Sequence, residues 1–141
     1  MTKEAKFYWY FLFLVPLLFS NTCNAQTDKD TELVGAIIGK TWMHSHEEDD
    51  GDDRIYRSGD YQFPPSRGRE GFRMEQDSTF LFYGIAPTDG ILVHIGYWSI
   101  DDSVIVVDFP HDRAPFRAMA LLVEKLESEK ITVTEMRIYD E

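Results

Sequence analysis

The centre of the chain, residues 72–83, reads FRMEQDSTFLFY and has the clearest strand pattern of the chain. Apolar and charged residues alternate over 72–75, the next three residues favour a turn, and the chain returns through an apolar and aromatic run that starts at Thr79. Alternation with a period of two places successive side chains on opposite faces of a strand. The stretch therefore predicts a β-hairpin.

Similar apolar stretches, separated by turn residues, lie on both sides of this hairpin. A second hairpin is predicted where Asp101 and Asp102 interrupt the apolar stretches 91–100 and 103–109, and a third is predicted at 126–131. The remaining predicted strands are 42–46, 55–57 and 131–134, and the predicted loops are 61–69, 86–90 and 110–115. About seven or eight antiparallel strands in sequence order predict an all-β fold, an up-and-down β-barrel.

Residues 116–126 fit two kinds of secondary structure. Phe116, Met119, Val123 and Leu126 have helical spacing, and the residues between them favour helix. A strand instead places alternate residues on one face, and the neighbouring sheet needs a partner at its edge. We favour the strand, although the pattern alone leaves both open.

The N-terminal residues 1–25 have the plan of a secretory signal peptide. Lys3 and Lys6 precede an apolar run at 7–19, which is followed by small and polar residues. The run is shorter than the roughly 18–20 residues that a membrane-spanning helix needs, so no span is expected in the mature protein. Residues 26–32 are polar and predict a flexible tether, and the domain proper is placed at 33–141, opening with a short helical turn at 33–38.

Cys23 leaves two modes of export open. Residues 23–25 fit cleavage before Gln26, which would leave the mature protein without cysteine. Cleavage in front of Cys23 would instead allow a lipid anchor there. Either way the protein is expected to be exported to the periplasm or the cell exterior.

Charge restricts the partners. The chain has 14 Lys and Arg residues against 25 Asp and Glu residues, a formal net charge of −11. Nucleic-acid phosphate and anionic lipid repel such a protein, so no nucleic-acid binding is expected. A small apolar ligand or an envelope protein is the expected partner, and the oligomeric state is left open.

The order of the motifs resembles that of small bacterial lipocalin-like exported proteins. The resemblance covers roughly residues 39–138 and rests on these segments: Gly39-x-x-Trp42, Asp77-Ser78-Thr79-Phe80, Gly96-Tyr97-Trp98 and Leu126-x-x-Glu129-x-Ile131. It implies a structural role for Trp42, packed beneath the barrel against Arg137 of the last strand. It also implies that the barrel binds a small apolar or amphipathic molecule.

A set of apolar residues at strand spacing is the candidate ligand site. These residues are Phe72, Met74, Phe80, Phe82 and Trp98, with Ile100 beside them. They could line a pocket inside the barrel. More often, such residues form a filled core.

His44 and His46 form a candidate metal site. A His-x-His pair on a strand projects both imidazoles to one side, which suits zinc. A third ligand could come from His94, His111 or a nearby acid. The alternative is a pair of histidines at the barrel mouth without metal, and no cofactor is expected.

Arg67, Arg69 and Glu70 form a charged cluster within a loop rich in proline and glycine. The arginines could bind a carboxylate or phosphate of a partner. Alternatively, one of them pairs with Glu70 or with the acidic segment 47–53 and fixes the loop to the barrel.

Catalytic motifs are missing from the sequence: it has no nucleophile elbow, phosphate-binding loop or dinucleotide fingerprint. We therefore expect a non-enzymatic protein and carry three hypotheses. The first is a barrel that binds a small apolar or amphipathic molecule. The second is a solid barrel that engages an envelope protein or glycan through its long loops, and the third is a metal-binding protein that uses His44 and His46.

Overall fold

Eight strands and one N-terminal helix make up the part of the chain that the computed structural model describes, residues 22–110 and 114–140. The elements are α1 (Thr22–Ile37), β1 (Thr41–His44), a 3-10 helix (His46–Glu48), β2 (Asp53–Ser58), β3 (Gly71–Met74), β4 (Thr79–Ile85), β5 (Ile91–Asp101), β6 (Val104–Asp108), β7 (Ala118–Glu127) and β8 (Lys130–Ile138). The strands close into one antiparallel barrel. The predicted all-β, lipocalin-like barrel is confirmed.

The strand order departs from a plain up-and-down barrel at one place. Strands β3 to β8 follow each other around the barrel, but β1 lies between β2 and β3, and β2 pairs with β8. Because β2 and β3 run in the same direction on either side of β1, residues 59–70 must cross over β1. We call this segment the crossover loop.

The three predicted hairpins are confirmed. Phe72 pairs with Phe82 across β3 and β4 in an unbroken register. At the β5–β6 turn, Asp102 and Ser103 both have positive φ, as the favoured two-residue hairpin turn requires. Residues 118–127 form β7 and pair along β8, so the strand favoured for 116–126 is confirmed.

The N-terminal segment is more helical than predicted. Residues 26–32, interpreted as a flexible tether, belong to α1, which also contains most of the predicted short helical turn. Packing explains the correction: Leu33 and Ile37 contact the barrel core, and the carboxylate of Asp30 accepts a hydrogen bond from the Ser103 backbone amide at 2.9 Å. Helix α1 therefore covers one end of the barrel, which we call the helix end.

Most of the predicted signal peptide, residues 1–21, lies outside the described residues, and residues 22–25 begin α1. Its role in export stays a prediction. Over the described part of the chain, none of the helical structure has the length and hydropathy that a membrane crossing requires.

Along the strands, side chains alternate between the barrel interior and its outer surface. In β4, Phe80 and Phe82 are buried while their neighbours are not, and in β8 Ile131 and Val133 are buried in the same way. The inward side chains meet in one apolar core. At the barrel end opposite α1, β1 stops at His44 and β8 stops at Ile138. We call this end the rim.

Candidate functional site

The residues predicted to line a ligand pocket form the core of the barrel. Phe72, Met74, Phe80 and Phe82 are each no more than 1 % exposed. The rings of Phe72 and Phe80 stack with centroids 5.3 Å apart, and Phe82 meets Phe116 edge to face at 5.0 Å. Offset and edge-to-face contacts at these distances are typical of close aromatic packing. These side chains therefore contact one another inside the barrel.

Trp98 differs from the other predicted pocket residues because it lies at the helix end and is only partly buried. Its indole N–H donates to the Glu75 carbonyl at 3.0 Å. Beside it, a groove of about 520 Å³ separates α1 from β5, lined by Val34, Ile100, Asp30 and Gln26 among others. The groove is the place in the described structure where the predicted residues Trp98 and Ile100 border open space.

Five side chains form a polar cluster that points inward at the rim. We call it the rim cluster, and its members are Arg54, Tyr56, Glu70, Glu135 and Arg137. The Tyr56 hydroxyl donates to Glu135 at 2.6 Å, and the Arg137 guanidinium contacts both carboxylates, at 2.5 Å for Glu70. Arg54 lies within 3.8 Å of both carboxylates as well. Two arginines thus neutralise two glutamates in a largely buried site.

Burial and pairing act against each other on the pKa values in this cluster. Burial alone would raise the pKa of Glu70, but the hydrogen bond and charge of Arg137 outweigh it and lower that pKa. Burial, followed by the charge of Glu135, raises the pKa of Tyr56 well above its ordinary value. At neutral pH the cluster therefore contains a neutral phenol that donates a hydrogen bond and a charged Glu70.

The resemblance implied that Arg137 packs against Trp42, but the two side chains lie apart. The Arg137 guanidinium lies over the rings of Phe82 and Phe116, at 5.4 and 5.0 Å from their centroids. Trp42 lies nearer the helix end, where its indole N–H donates to the Ile37 carbonyl at 3.1 Å and the Lys40 ammonium lies 5.8 Å from its ring. The expectation was wrong because the last strand carries Arg137 to the rim.

The two candidate metal-binding histidines do not share a strand. Strand β1 ends at His44, and His46 begins the 3-10 helix, with ring centroids 6.1 Å apart. His44 Nε2 lies 2.8 Å from the Asp49 carboxylate, and His46 Nδ1 lies 3.3 Å from the Arg69 guanidinium, a cation that would repel a metal ion. His94 stacks on Phe82, whereas His111 lies outside the described residues. Within residues 22–110 and 114–140, no group of three or more histidine, cysteine or acidic side chains is arranged to hold a metal.

The charged loop cluster is divided between two places. Arg69 forms a two-point ion pair with Glu47, with one N–H···O distance of 2.8 Å, and donates to the carbonyls of Pro64 and His44. Arg69 therefore fixes the crossover loop to the acidic segment. Glu70 faces inward and belongs to the rim cluster, whereas Arg67 is exposed.

The acidic segment is held in place by ion pairs. The Arg69 hydrogen bond lowers the pKa of Glu47 to about 2, and a bidentate Arg57 lowers that of Glu48 to about 2. The carboxylate of Asp49 accepts from the Ile55 amide at 2.9 Å. Each of these three carboxylates thus has a cation or an amide as partner, which holds this part of the segment against the barrel.

A second groove lies between the crossover loop and the outer face of β1. Its volume is about 680 Å³, and Phe63, Met43, Lys40, Asp60 and Arg69 contribute to its walls. The groove follows from the strand order, since the loop must pass over β1 to reach β3. It combines an aromatic ring with charges of both signs on the barrel exterior.

One wall of the barrel is apolar on its outside. The outward side chains of β4 and β5 are, in pairs across the two strands, Leu81 and Ile95, Tyr83 and Val93, and Ile85 and Ile91, followed by Tyr97. Ile91, Val93 and Ile95 are each more than half exposed. Contiguous apolar surface of this kind usually marks an interaction site.

Sequence reasoning missed Arg54, Tyr56 and Glu135 as members of a site. The signal that could have found Glu135 was alternation: it follows Ile131 and Val133 in the inward register, so a charge at its position enters the barrel. Its partners come from β2 and from the end of the crossover loop, which are distant in sequence.

Comparison of the chain with protein-family models, with curated proteins and with solved structures gave no match. The fold defines the class of protein, a closed eight-stranded antiparallel barrel with a helix over one end.

Proposed function

We propose that this protein is an exported, non-enzymatic barrel that serves as an interaction module of the cell envelope and binds a partner protein with its outer surface. The observation that carries the proposal is the filled interior: Phe72, Phe80, Phe82 and Phe116 occupy the barrel with their own rings. A small barrel filled in this way offers recognition surfaces on its outside.

The crossover loop supplies a preformed surface for such a partner. Its ion pair from Arg69 to Glu47 and its contact with β4, where Gly68 approaches the Ile85 side chain, hold it against the barrel. A fixed loop loses little conformational entropy when a partner binds. The adjoining groove offers Phe63 as an aromatic contact, a residue type enriched in protein interfaces.

Site-specific photocrosslinking tests this proposal. A photoreactive amino acid is placed at Arg67, on the exposed crossover loop, and in a matched protein at Lys125, which is exposed on β7 at the helix end. In the native host, irradiation should give one discrete protein adduct from position 67 and none from position 125. Identical adducts from both positions, or none from either, would contradict the proposal.

A small amphipathic ligand is the second candidate function, and the groove between α1 and β5 favours it. Trp98, Ile100 and Val34 give it an apolar wall, and the Gln26 side-chain amide nitrogen is buried there without a hydrogen-bond partner among the described residues. A ligand acceptor at that nitrogen would satisfy it. Native mass spectrometry of protein isolated from its host should then show an adduct that Val34→Trp, which fills the groove, removes.

Export is part of both proposals and has its own test. Cleavage before Gln26 predicts a mature chain that starts at that residue and fractionates identically when Cys23 is replaced by serine. A lipid on Cys23 predicts a membrane-bound protein that carries the added acyl mass, which Cys23→Ser abolishes. Intact-mass measurement of the exported protein distinguishes the two.

A further inference from the structure

Among the described residues, strand β5 has no partner along one edge over half of its length. It pairs with β4 from Ile91 to Tyr97, but its pairing with β6 begins only at Tyr97. The cause lies at Gly96: a Cβ there would come within 2.8 Å of the Asp108 carbonyl and 2.9 Å of the Phe109 ring. Phe109 thus turns inward against Gly96, and the pairing of β5 with β6 stops at Tyr97.

The register identifies which main-chain groups are left open. The Trp98 amide donates to the Ser78 carbonyl, so the even-numbered residues of β5 direct their main-chain groups to β4. The register with β4 is continuous, so Ile91, Val93 and Ile95 direct theirs the opposite way. Within the described parts of the chain, no strand pairs with these three residues.

Among the described residues, this edge lacks the features that usually protect an open strand. Natural sheets protect their edges with lysine, proline, bulges or covering segments. Residues 91–97 read ILVHIGY, without a proline or a formally charged residue, and the side chains of Ile91, Val93 and Ile95 are 66 %, 53 % and 53 % exposed. An unprotected edge and an exposed apolar face therefore coincide.

We propose that this edge binds a partner by strand addition, taking an extended polypeptide segment alongside Ile91, Val93 and Ile95. The proposal rests on the proposed role as an interaction module and gives the mode of binding. Main-chain hydrogen bonds supply affinity, and alternate apolar side chains of the segment pack beside the three exposed ones.

Two aspartates near the ends of the edge predict the charge of the bound polypeptide segment at its ends. Asp89 lies in the turn before the edge, and Asp108 lies opposite Tyr97 at its other end. The segment should therefore carry lysine or arginine near its ends. Open amides and carbonyls require a polypeptide rather than a lipid, and a formal net charge of −11 on each copy opposes pairing of two copies.

Amide hydrogen exchange on the free, full chain is the first test. The amides of Ile91, Val93 and Ile95 should exchange with solvent faster than those of Leu92 and His94, which face β4. Slow exchange at Val93 and Ile95 in dilute protein would show that the edge is already covered and would overturn the proposal. Protection that disappears on dilution would assign the edge to a second copy and would overturn it too.

A synthetic peptide of alternating threonine and valine, with a lysine at each end, is the binding probe. It should bind and slow exchange at Val93 and Ile95, whereas the fully N-methylated peptide, which cannot pair, should not bind. Ile95→Lys should weaken binding about tenfold by placing a cation at the edge. Met136→Lys is the matched control, since it adds the same charge at an exposed site on β8 and should weaken binding less than about twofold.

The flanking charges give a separate measurement. Replacing Asp89 and Asp108 by asparagine should weaken the binding of the lysine-flanked peptide by about two- to fivefold for each site and reduce the salt dependence of that binding. Equal binding of the N-methylated peptide, or equal loss in Ile95→Lys and Met136→Lys, would overturn the proposal. Neutral lipid vesicles that bind at Ile95 in place of the peptide would do the same.

The two proposals fail separately. A crosslink from position 67 without peptide binding at β5 would retain the interaction module and reject strand addition. Peptide binding at β5 without any crosslink from position 67 would retain strand addition and reject the crossover loop as the contact surface.

Discussion

Gly96 shows how one residue shapes the barrel. Asp108 and Phe109 approach it so closely that a methyl group would overlap both, at 2.8 and 2.9 Å. Phe109 uses this approach to enter the core, where its ring lies 5.2 Å from that of Phe116. The absence of one side chain thus closes the core at the rim and opens the edge of β5.

Replacing Gly96 by alanine should lower the free energy of unfolding by about 1–3 kcal/mol, because the backbone or the Phe109 ring must move. Urea unfolding followed by tryptophan fluorescence measures this. Gly90→Ala is the control, since its nearest heavy atoms are 3.8 and 3.9 Å away. If both variants lost equal stability, close packing at Gly96 would not be the cause.

Arg137 is the residue on which the rim cluster depends. It contacts Glu135, whose side chain is 2 % exposed, so its removal leaves a buried carboxylate with less compensation. Arg137→Met should therefore reduce the free energy of unfolding by about 3–5 kcal/mol. Arg73→Met, which breaks the surface pair with Glu75, should cost less than about 1 kcal/mol in the same urea titration. Comparable losses would mean that Arg137 is not buried in solution.

Among the elements, the crossover loop is held to the barrel in part by charge. It has no strand partner of its own and is fixed by Arg69, which Glu47 holds, while Glu48 holds Arg57 on β2. Both carboxylates have pKa values of about 2, lowered from 4.5 by hydrogen bonds to these arginines. Acid should therefore loosen the loop.

The sign of the pH dependence follows from the direction of these shifts. A carboxyl with a lowered pKa in the folded state stabilises it fully above the unfolded value of 4.5 and loses this contribution as the pH falls towards about 2. Stability should fall across this window, and the double variant Glu47→Gln, Glu48→Gln should show a smaller fall. Unfolding titrations at several pH values measure it, and an unchanged slope in the variant would reject these two groups as the source.

At the scale of the whole molecule, charge is distributed unevenly. The crossover loop, the acidic segment and β2 carry many of the ion pairs, whereas the outward side chains of β4 and β5 are uncharged up to Ser99. The net charge of −11 opposes association of copies through the apolar wall.

Screening the net charge with salt should allow copies to attract one another through the apolar outer surface of β4 and β5. In molar sodium chloride, where the Debye length is about 3 Å, light scattering should show attraction between copies. Val93→Glu should suppress this attraction, and Thr132→Glu, an equal charge change on the outer face of β8, should not. Attraction that persists equally in both variants would assign it to another surface.

Local pattern determined much of the fold. Alternation in 72–83 predicted a hairpin, and Phe72 does pair with Phe82. For residues 116–126, the pattern fitted both strand and helix, and pairing with the neighbouring strands makes them a strand. The prediction of a flexible tether at 26–32 was wrong because packing of Leu33 and Ile37, rather than local propensity, stabilises α1. The residues of the predicted metal site and of the predicted charged cluster are separated in the structure, because His46 lies outside β1 and Glu70 faces the barrel interior.

The antiparallel barrel, its hairpins, its acidic charge and the expectation of export follow from the amino-acid sequence, because they depend on neighbouring residues and composition. The placement of β1 between β2 and β3, the rim cluster and the open edge of β5 are visible only in the folded chain. Each of these depends on contacts between residues distant in the chain, such as Tyr56 with Glu135 and Gly96 with Phe109. Periodicity reports which face a side chain occupies, but it does not report which strand lies opposite.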